Sequence, residues 1–305
     1  MICANRVTGL VLGASLIFVD AAHAQMSQPL RVEPAHINLG HVAPDEVMPF
    51  SVTVFNDTNR PIKVLQAKAN CGCTASVNFQ PVNVKPHTTT QIQYALKGPQ
   101  EMGPRGVRGF LVLDTGQALV FEIDAEIVDA RIVHVERYIS AINDGKELTA
   151  RRYVAQHARK WFKTREGNGQ PFFTRGKWAD WDAFFHSTNQ IKEITLEGDI
   201  VTVTSIENND FYQLIDRTPV PATTTYWFDA QKRIVGKIYL GQTAEPKDRL
   251  DDAIAWLRQR DASKLKKLMP DGEIDPTIEN AKKWKALLIN WRQDAGLPRV
   301  NLGSN

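Results

Sequence analysis

The spacing of apolar residues changes near residue 130, and this change constrains the fold of the chain more than any other feature. Before it, apolar residues alternate with polar ones, as in Val52/Val54 and Ile92/Tyr94/Leu96. Alternation places every second side chain on one face, which is typical of strands buried on one side. Turn residues separate these short segments. We therefore predict an all-β sandwich over residues 30–129.

After residue 130 the apolar residues follow a helical period. One predicted helix ends at Asn143-Asp144-Gly145 and carries Ile132, Val135, Ile139 and Ile142 on one face. A second is predicted around Val154, Ala158, Trp161 and Phe162, and a third around Trp178, Trp181 and Phe185. Strands are predicted next, at residues 191–196, 201–206, 211–215, 223–228 and 234–240. Helices followed by a strand meander predict an α+β domain over residues 130–243.

The last part of the chain, residues 244–305, is predicted to be a helical extension. Two apolar stripes at helical spacing indicate it, one with Leu250, Ile254 and Leu257, the other with Trp284, Leu288 and Trp291.

The first 24 residues have the three parts of a cleavable export signal. Arg6 precedes an apolar run over residues 7–19, and the small residues Ala22 and Ala24 precede Gln25. The sequence therefore predicts a signal peptide, a periplasmic or secreted protein, and no transmembrane segment once the signal is removed. The 305-residue chain has a formal net charge of only +3, so we do not expect nucleic acid as a partner.

The first domain resembles a bacterial immunoglobulin-like family, the domain of unknown function 1573. The resemblance rests on residues 37–42, on Phe55-Asn56 followed by Pro61-Ile62, on Val84-Lys85-Pro86, and above all on Cys71-Gly72-Cys73-Thr74. It implies an immunoglobulin-like sandwich and supplies no activity.

The second domain resembles the cone-shaped, SnoaL-like superfamily, which is also called nuclear transport factor 2-like. The similar segments are Asn143-Asp144-Gly145, residues 176–181, Trp227-Phe228-Asp229 and residues 234–239. The resemblance implies an α+β cone with an apolar cavity between helices and sheet. That superfamily contains both enzymes and binding proteins, and no catalytic residue can be carried over to this chain.

Cys71 and Cys73 are the two cysteines that remain after signal removal. In an extended strand their Cα atoms would be about 6.6–6.8 Å apart, at the limit for a disulfide, and a kink at Gly72 would shorten the distance. Three interpretations stay open: a structural or idle pair, a redox-active pair, and a soft-metal site helped by His87, His41 or a methionine.

The cone pocket is the other candidate site, and we expect no cofactor in it. Its candidate lining residues are Tyr138, Trp178, Asp180, Trp181, Tyr212 and Tyr226. Asp180 and Asp182 flank Trp181, so at most one of the two carboxylates faces inward on a helix. A basic run over residues 151–165 is interpreted as a solvated helix face.

These patterns favour a non-catalytic binding or interaction protein of unknown specific role. The sandwich would be an interaction module, and the cone would hold a ligand, a partner or a second copy of the chain in a homodimer. Two alternatives remain: an enzyme using acid–base chemistry on a small apolar molecule in the cone, and a copper or thiol-redox role for the cysteine pair.

Overall fold

The protein is mostly β-sheet with some helices, and the computed structural model describes residues 29–173 and 177–302. The predicted signal peptide and Gly176 lie outside the described residues. The chain divides into two compact units. Among the described residues, one unit contains residues 29–38, Pro49–Leu96 and Gly106–Asp124. The other contains Leu39–Met48, Lys97–Arg105 and the described residues from 125 onwards.

Nine strands form two sheets in the first part of the chain. They are β1 (Leu30–Glu33), β2 (His36–Val42), β3 (Val47–Asn56), β4 (Ile62–Ala69), β5 (Thr74–Ser76), β6 (Val82–Val84), β7 (Thr88–Lys97), β8 (Gly103–Leu113) and β9 (Ala118–Ile127). One sheet has the order β1-β3-β7-β5, and the other has the order β2-β9-β8-β4-β6. The strands predicted from alternation are confirmed, since Val52, Val54, Ile92, Tyr94 and Leu96 are all buried.

The two sheets pack against each other through aromatic side chains. Tyr94 of β7 meets Phe121 of β9 edge to face, with ring centroids 5.1 Å apart, and it stacks on Phe50 at 5.6 Å. Burial raises the pKa of Tyr94 well above its usual value. The side chains of both sheets therefore share one apolar layer.

Six strands and four α-helices follow. They are α1 (Ala130–Asn143), α2 (Glu147–Ala150), β10 (Val154–Phe162), β11 (Gln170–Pro171), α3 (Lys177–Phe184), β12 (Thr188–Glu197), β13 (Ile200–Asn208), α4 (Asp210–Leu214), β14 (Pro221–Phe228) and β15 (Ile234–Gln242). Their sheet has the order β11-β10-β15-β14-β13-β12, and β10 runs parallel to β15. Apolar residues of α1 pack on one face of this sheet, with Val201, Val203 and Ile234 among their partners.

Two predicted elements are wrong in type. Residues 154–162, predicted as a helix, form strand β10, because pairing with β15 satisfies their backbone groups. Four residues of the strand predicted at 211–215, residues 211–214, lie in the short helix α4. The side chain of Asn209 accepts a hydrogen bond from the backbone N–H of Tyr212 and caps that helix.

The last helices of the described residues are α5 (Leu250–Arg260), α6 (Ala262–Leu268) and α7 (Ile278–Asp294). The two apolar stripes predict α5 and α7, whereas neither stripe includes α6. The three helices form a second core together with α3 and α4, in which Trp284 and Trp291 are buried with Trp181 and Phe211. Between residues 29 and 302, leaving aside 174–176, no helix has the length and apolar character needed to cross a membrane.

Candidate functional site

A cavity of about 230 Å³ lies where α1 covers the six-stranded sheet. Its lining combines aromatic rings with amino, amide and hydroxyl groups, from Tyr138, Ile139, Ile142, Asn143, Lys160, Trp161, Phe162, Asn189, Ser205, Thr224, Tyr226, Lys237 and Tyr239. Polar groups at defined positions in an otherwise apolar cavity are typical of sites for small molecules.

Lys160 and Lys237 are the two cationic residues of this cavity. They are paired residues in the parallel register of β10 and β15, so both side chains leave the same row of the sheet. Burial, and then the charge of Lys237, lowers the pKa of Lys160. The two lysines therefore place positive charge in one part of the cavity lining.

Tyr138 of α1 orients one of the two ammonium groups. The Lys237 ammonium donates a hydrogen bond to the Tyr138 hydroxyl at 3.1 Å, and it lies 5.0 Å from the ring centroid of Phe172. Tyr138 also meets Tyr226 edge to face, with centroids 6.3 Å apart. Burial raises the pKa of Tyr226, which therefore keeps its proton. These contacts with aromatic side chains orient the Lys237 side chain.

The side of the cavity near β12 is fixed by a pair of hydrogen bonds. Asn143 donates from its side-chain amide to the Asn189 carbonyl at 2.9 Å, and the Asn189 backbone N–H donates to the Asn143 side-chain oxygen at 2.8 Å. These two hydrogen bonds, between the Asn143 side chain and the Asn189 backbone, hold the end of α1 against β12.

A second cavity, of about 540 Å³, is lined by Glu207 and Tyr212 together with Arg217. The Glu207 carboxylate accepts hydrogen bonds from the hydroxyls of Ser187 at 3.0 Å and Tyr212 at 3.3 Å. Burial, and then the charge of Glu207, raises the pKa of Asp182 to about 7. Asp182 itself is not among the residues that line this cavity.

The structure distributes the six pocket residues expected from the sequence over several places. Tyr138 and Tyr226 line the 230 Å³ cavity, and Tyr212 lines the 540 Å³ cavity. The other three belong to α3. Trp181 is only 2% exposed in the core with α4 and α7, Trp178 is 54% exposed, and Asp180 is exposed. Their placement differs because α3 packs on helices of the extension and not on the sheet.

Lys160 and Lys237 were missed from the sequence. Lys160 falls in the segment interpreted as a solvated helix face, whereas it extends from a strand into the cavity. Simple alternation does not identify Lys160, because the register of β10 shifts between Val154 and Arg159 and the neighbouring Trp161 lines the cavity too. On β15, Lys237 and Tyr239 occupy alternate positions and both line the cavity.

Cys71 and Cys73 form a disulfide, with their Cα atoms 5.3 Å apart. The residues between β4 and β5 make a turn, which brings the Cα atoms closer than an extended strand allows. His87 is hydrogen-bonded to Asn59 at 2.9 Å, and His41 contacts carboxylates. Within the described ranges, no three His, Cys, Asp or Glu side chains are grouped as metal ligands.

Comparison with known proteins gives fold-level neighbours only. No family model and no curated protein matches the chain. Solved structures with similarity include a PapD-like domain of human CEP192, at 9% identity and a TM-score of 0.28, over 41% of this chain and 98% of that one. An NTF2-like protein of unknown function from Cytophaga hutchinsonii matches at 14% identity and a TM-score of 0.25, over 35% of this chain and 84% of that one.

Other matches span only part of the neighbouring protein. The Vibrio cholerae VesB protease matches at 13% identity and a TM-score of 0.27, over 32% of each chain. A protein of unknown function from Porphyromonas gingivalis is covered over 51% of its length. All these TM-scores are low, so no argument about activity rests on them.

Proposed function

We propose that the chain is an exported, non-catalytic binding protein whose 230 Å³ cavity holds a small molecule with an anionic group and an apolar body. In this proposal an immunoglobulin-like sandwich precedes a SnoaL-like cone with a helical extension. The sheets joined by Tyr94 and Phe121, and the sheet covered by α1, support these assignments.

The observation that carries the proposal is the direct pairing of Lys160 with Lys237. Both side chains come from directly paired residues and line one cavity, so together they would attract the anionic group of a ligand. The ring of Tyr138 and the partly exposed ring of Trp161 line the same cavity and would contact the apolar body of the ligand.

Anilinonaphthalene sulfonate, which joins a sulfonate to aromatic rings, is a suitable probe. We expect Lys237→Met to weaken its binding by about 10-fold or more, because a hydrogen bond to a charged group is lost. Binding is measured by fluorescence titration, with circular dichroism as the check on folding.

Lys192→Met is the matched control, since Lys192 is an exposed lysine on β12 of the same sheet. It should leave the affinity unchanged. Equal affinity of the Lys237→Met variant and the control for the sulfonate would contradict the proposal. A wild-type protein that binds a neutral dye such as Nile red as tightly as the sulfonate would contradict it too.

Acid–base catalysis on a small apolar molecule is the second candidate, and Asp182 beside Glu207 and Tyr212 favours it. Nuclear magnetic resonance titration of the Asp182 carboxyl tests the premise. A pKa near 4 would remove the support for this candidate.

Export is proposed on the signal pattern of residues 1–24. N-terminal sequencing of the mature protein tests it, and the expected first residue is Gln25.

A further inference from the structure

The Cys71–Cys73 disulfide closes a very small ring, because its two residues are only two positions apart. A cross-link that short removes little conformational freedom from the unfolded chain, so it contributes little to stability compared with one that closes a long loop. The bond lies in the turn that leads from β4 of one sheet to β5 of the other, and it joins only neighbouring residues of that turn. Closure of a long loop therefore does not explain it.

The turn that carries the disulfide is anchored at both ends by other contacts. On one side, the Asn70 backbone N–H donates to the Arg108 carbonyl at 3.0 Å, and the Arg108 N–H donates to the Asn70 side-chain oxygen at 2.9 Å. On the other side, Thr74 begins β5 and pairs with Leu96 of β7. Because these anchors do not involve sulfur, the turn can keep its place when the S–S bond opens.

One hydroxyl group contacts both sulfurs of the disulfide. Cys71 and Cys73 are partly exposed, and Gly72 between them is exposed and has no side chain to block an approaching thiol. The Thr74 hydroxyl lies 3.8 Å from each sulfur. A disulfide sulfur carries no hydrogen, so the hydroxyl is the donor in this contact.

We propose that Cys71 and Cys73 form an exchangeable disulfide that accepts two electrons from a dithiol. A thiolate of the dithiol attacks one cysteine sulfur, the Cys71–Cys73 bond breaks, and its electron pair leaves on the other sulfur as a thiolate. The Thr74 hydroxyl donates a hydrogen bond to that leaving thiolate. The second thiolate of the dithiol then attacks the dithiol sulfur of the mixed disulfide. This closes the disulfide of the dithiol and releases the bound cysteine as a thiolate.

Atoms and electrons balance over these two steps. The dithiol loses two electrons and two protons and becomes a disulfide, and Cys71 and Cys73 end as two thiols. Thr74 is a positioning residue, since it acts on the leaving sulfur and forms no bond to the dithiol.

The first experiment treats the full chain with dithiothreitol under native conditions and follows reduction by thiol alkylation and mass spectrometry. We expect reduction at a rate constant at least about threefold above that of oxidised glutathione, because a hydrogen-bonded thiolate is the better leaving group. The reduced protein should keep its circular dichroism spectrum. Reduction that is slower than that of glutathione, or that occurs only in denaturant, would overturn the proposal.

The second experiment compares Thr74→Val with Thr74→Ser. Valine removes the hydroxyl and should raise the pKa of the freed thiol and slow reduction about threefold, whereas serine should restore both values. Thiolate absorbance at 240 nm reports the pKa. If valine and serine give the same thiol pKa and the same rate, Thr74 has no part in the exchange. The Cys71→Ser/Cys73→Ser variant serves as the control that folds without exchanging.

Discussion

The half-buried side chain of Asp182 lies near the negative charge of Glu207. Burial and the neighbouring Glu207 charge raise its pKa from the ordinary carboxyl value to about 7. A raised carboxyl pKa means that the folded chain holds a proton that the unfolded chain has released. The resulting stability is present in full below about pH 4 and is lost as pH rises through about 7.

Asp182→Asn should therefore raise the free energy of unfolding at pH 8 by about 1–2 kcal/mol, after allowance for partial exposure of the side chain to solvent. At pH 4 to 5 the variant and the wild type should be nearly equal. Urea unfolding at the two pH values measures the difference. Asp180→Asn, on the exposed side of the same helix, should leave the pH dependence unchanged. A variant that is destabilised equally at both values would show that Asp182 is not the titrating group.

Among the elements, strand β8 has one position, Gly109, where a side chain would collide with a buried ring. A Cβ atom at Gly109 would overlap the ring of Phe121, whereas one at Gly106 of the same strand would meet only the Asp124 side chain at 3.6 Å. Gly109→Ala should therefore lower the free energy of unfolding by about 1–3 kcal/mol, since the buried ring must move. Gly106→Ala should cost much less in the same urea titration. Equal losses from both changes would contradict this account.

The types of most long elements could be predicted from residue spacing, but two were wrong, and the short elements β6, β11, α2 and α6 were not predicted. A spacing of four, as between Val154, Ala158 and Phe162, fits both a helix and a strand, and only the distant pairing with β15 decides between them. The same limit applies to the site. Tyr138 and Tyr226 could be proposed as aromatic residues of a cone, but the meeting of Lys160 with Lys237 depends on strand register, which the local sequence does not contain.

At the scale of the whole chain, the helices after residue 243 complete a core that begins at α3. Trp284 of α7 is 1% exposed and meets Phe211 of α4 edge to face, with centroids 6.3 Å apart. Trp284→Ala should lower the free energy of unfolding by about 3–5 kcal/mol, because it leaves a large cavity between these helices. Trp178→Ala, at a tryptophan that is mostly exposed, should cost about 0.5–1 kcal/mol. Similar losses from the two variants, measured by urea unfolding, would show that α7 is not part of this core.

Arg292 of α7 also connects these distant segments, since its guanidinium donates to the Leu214 carbonyl at 3.0 Å across 78 positions of sequence. During synthesis, the apolar sides of α3 and α4 stay uncovered until α7 has been translated. A nascent chain halted between them would present Trp181 and Phe211 to the surroundings. We therefore expect this region to fold after α7 has been translated. Until then, its exposed apolar side chains are of the kind that chaperones bind.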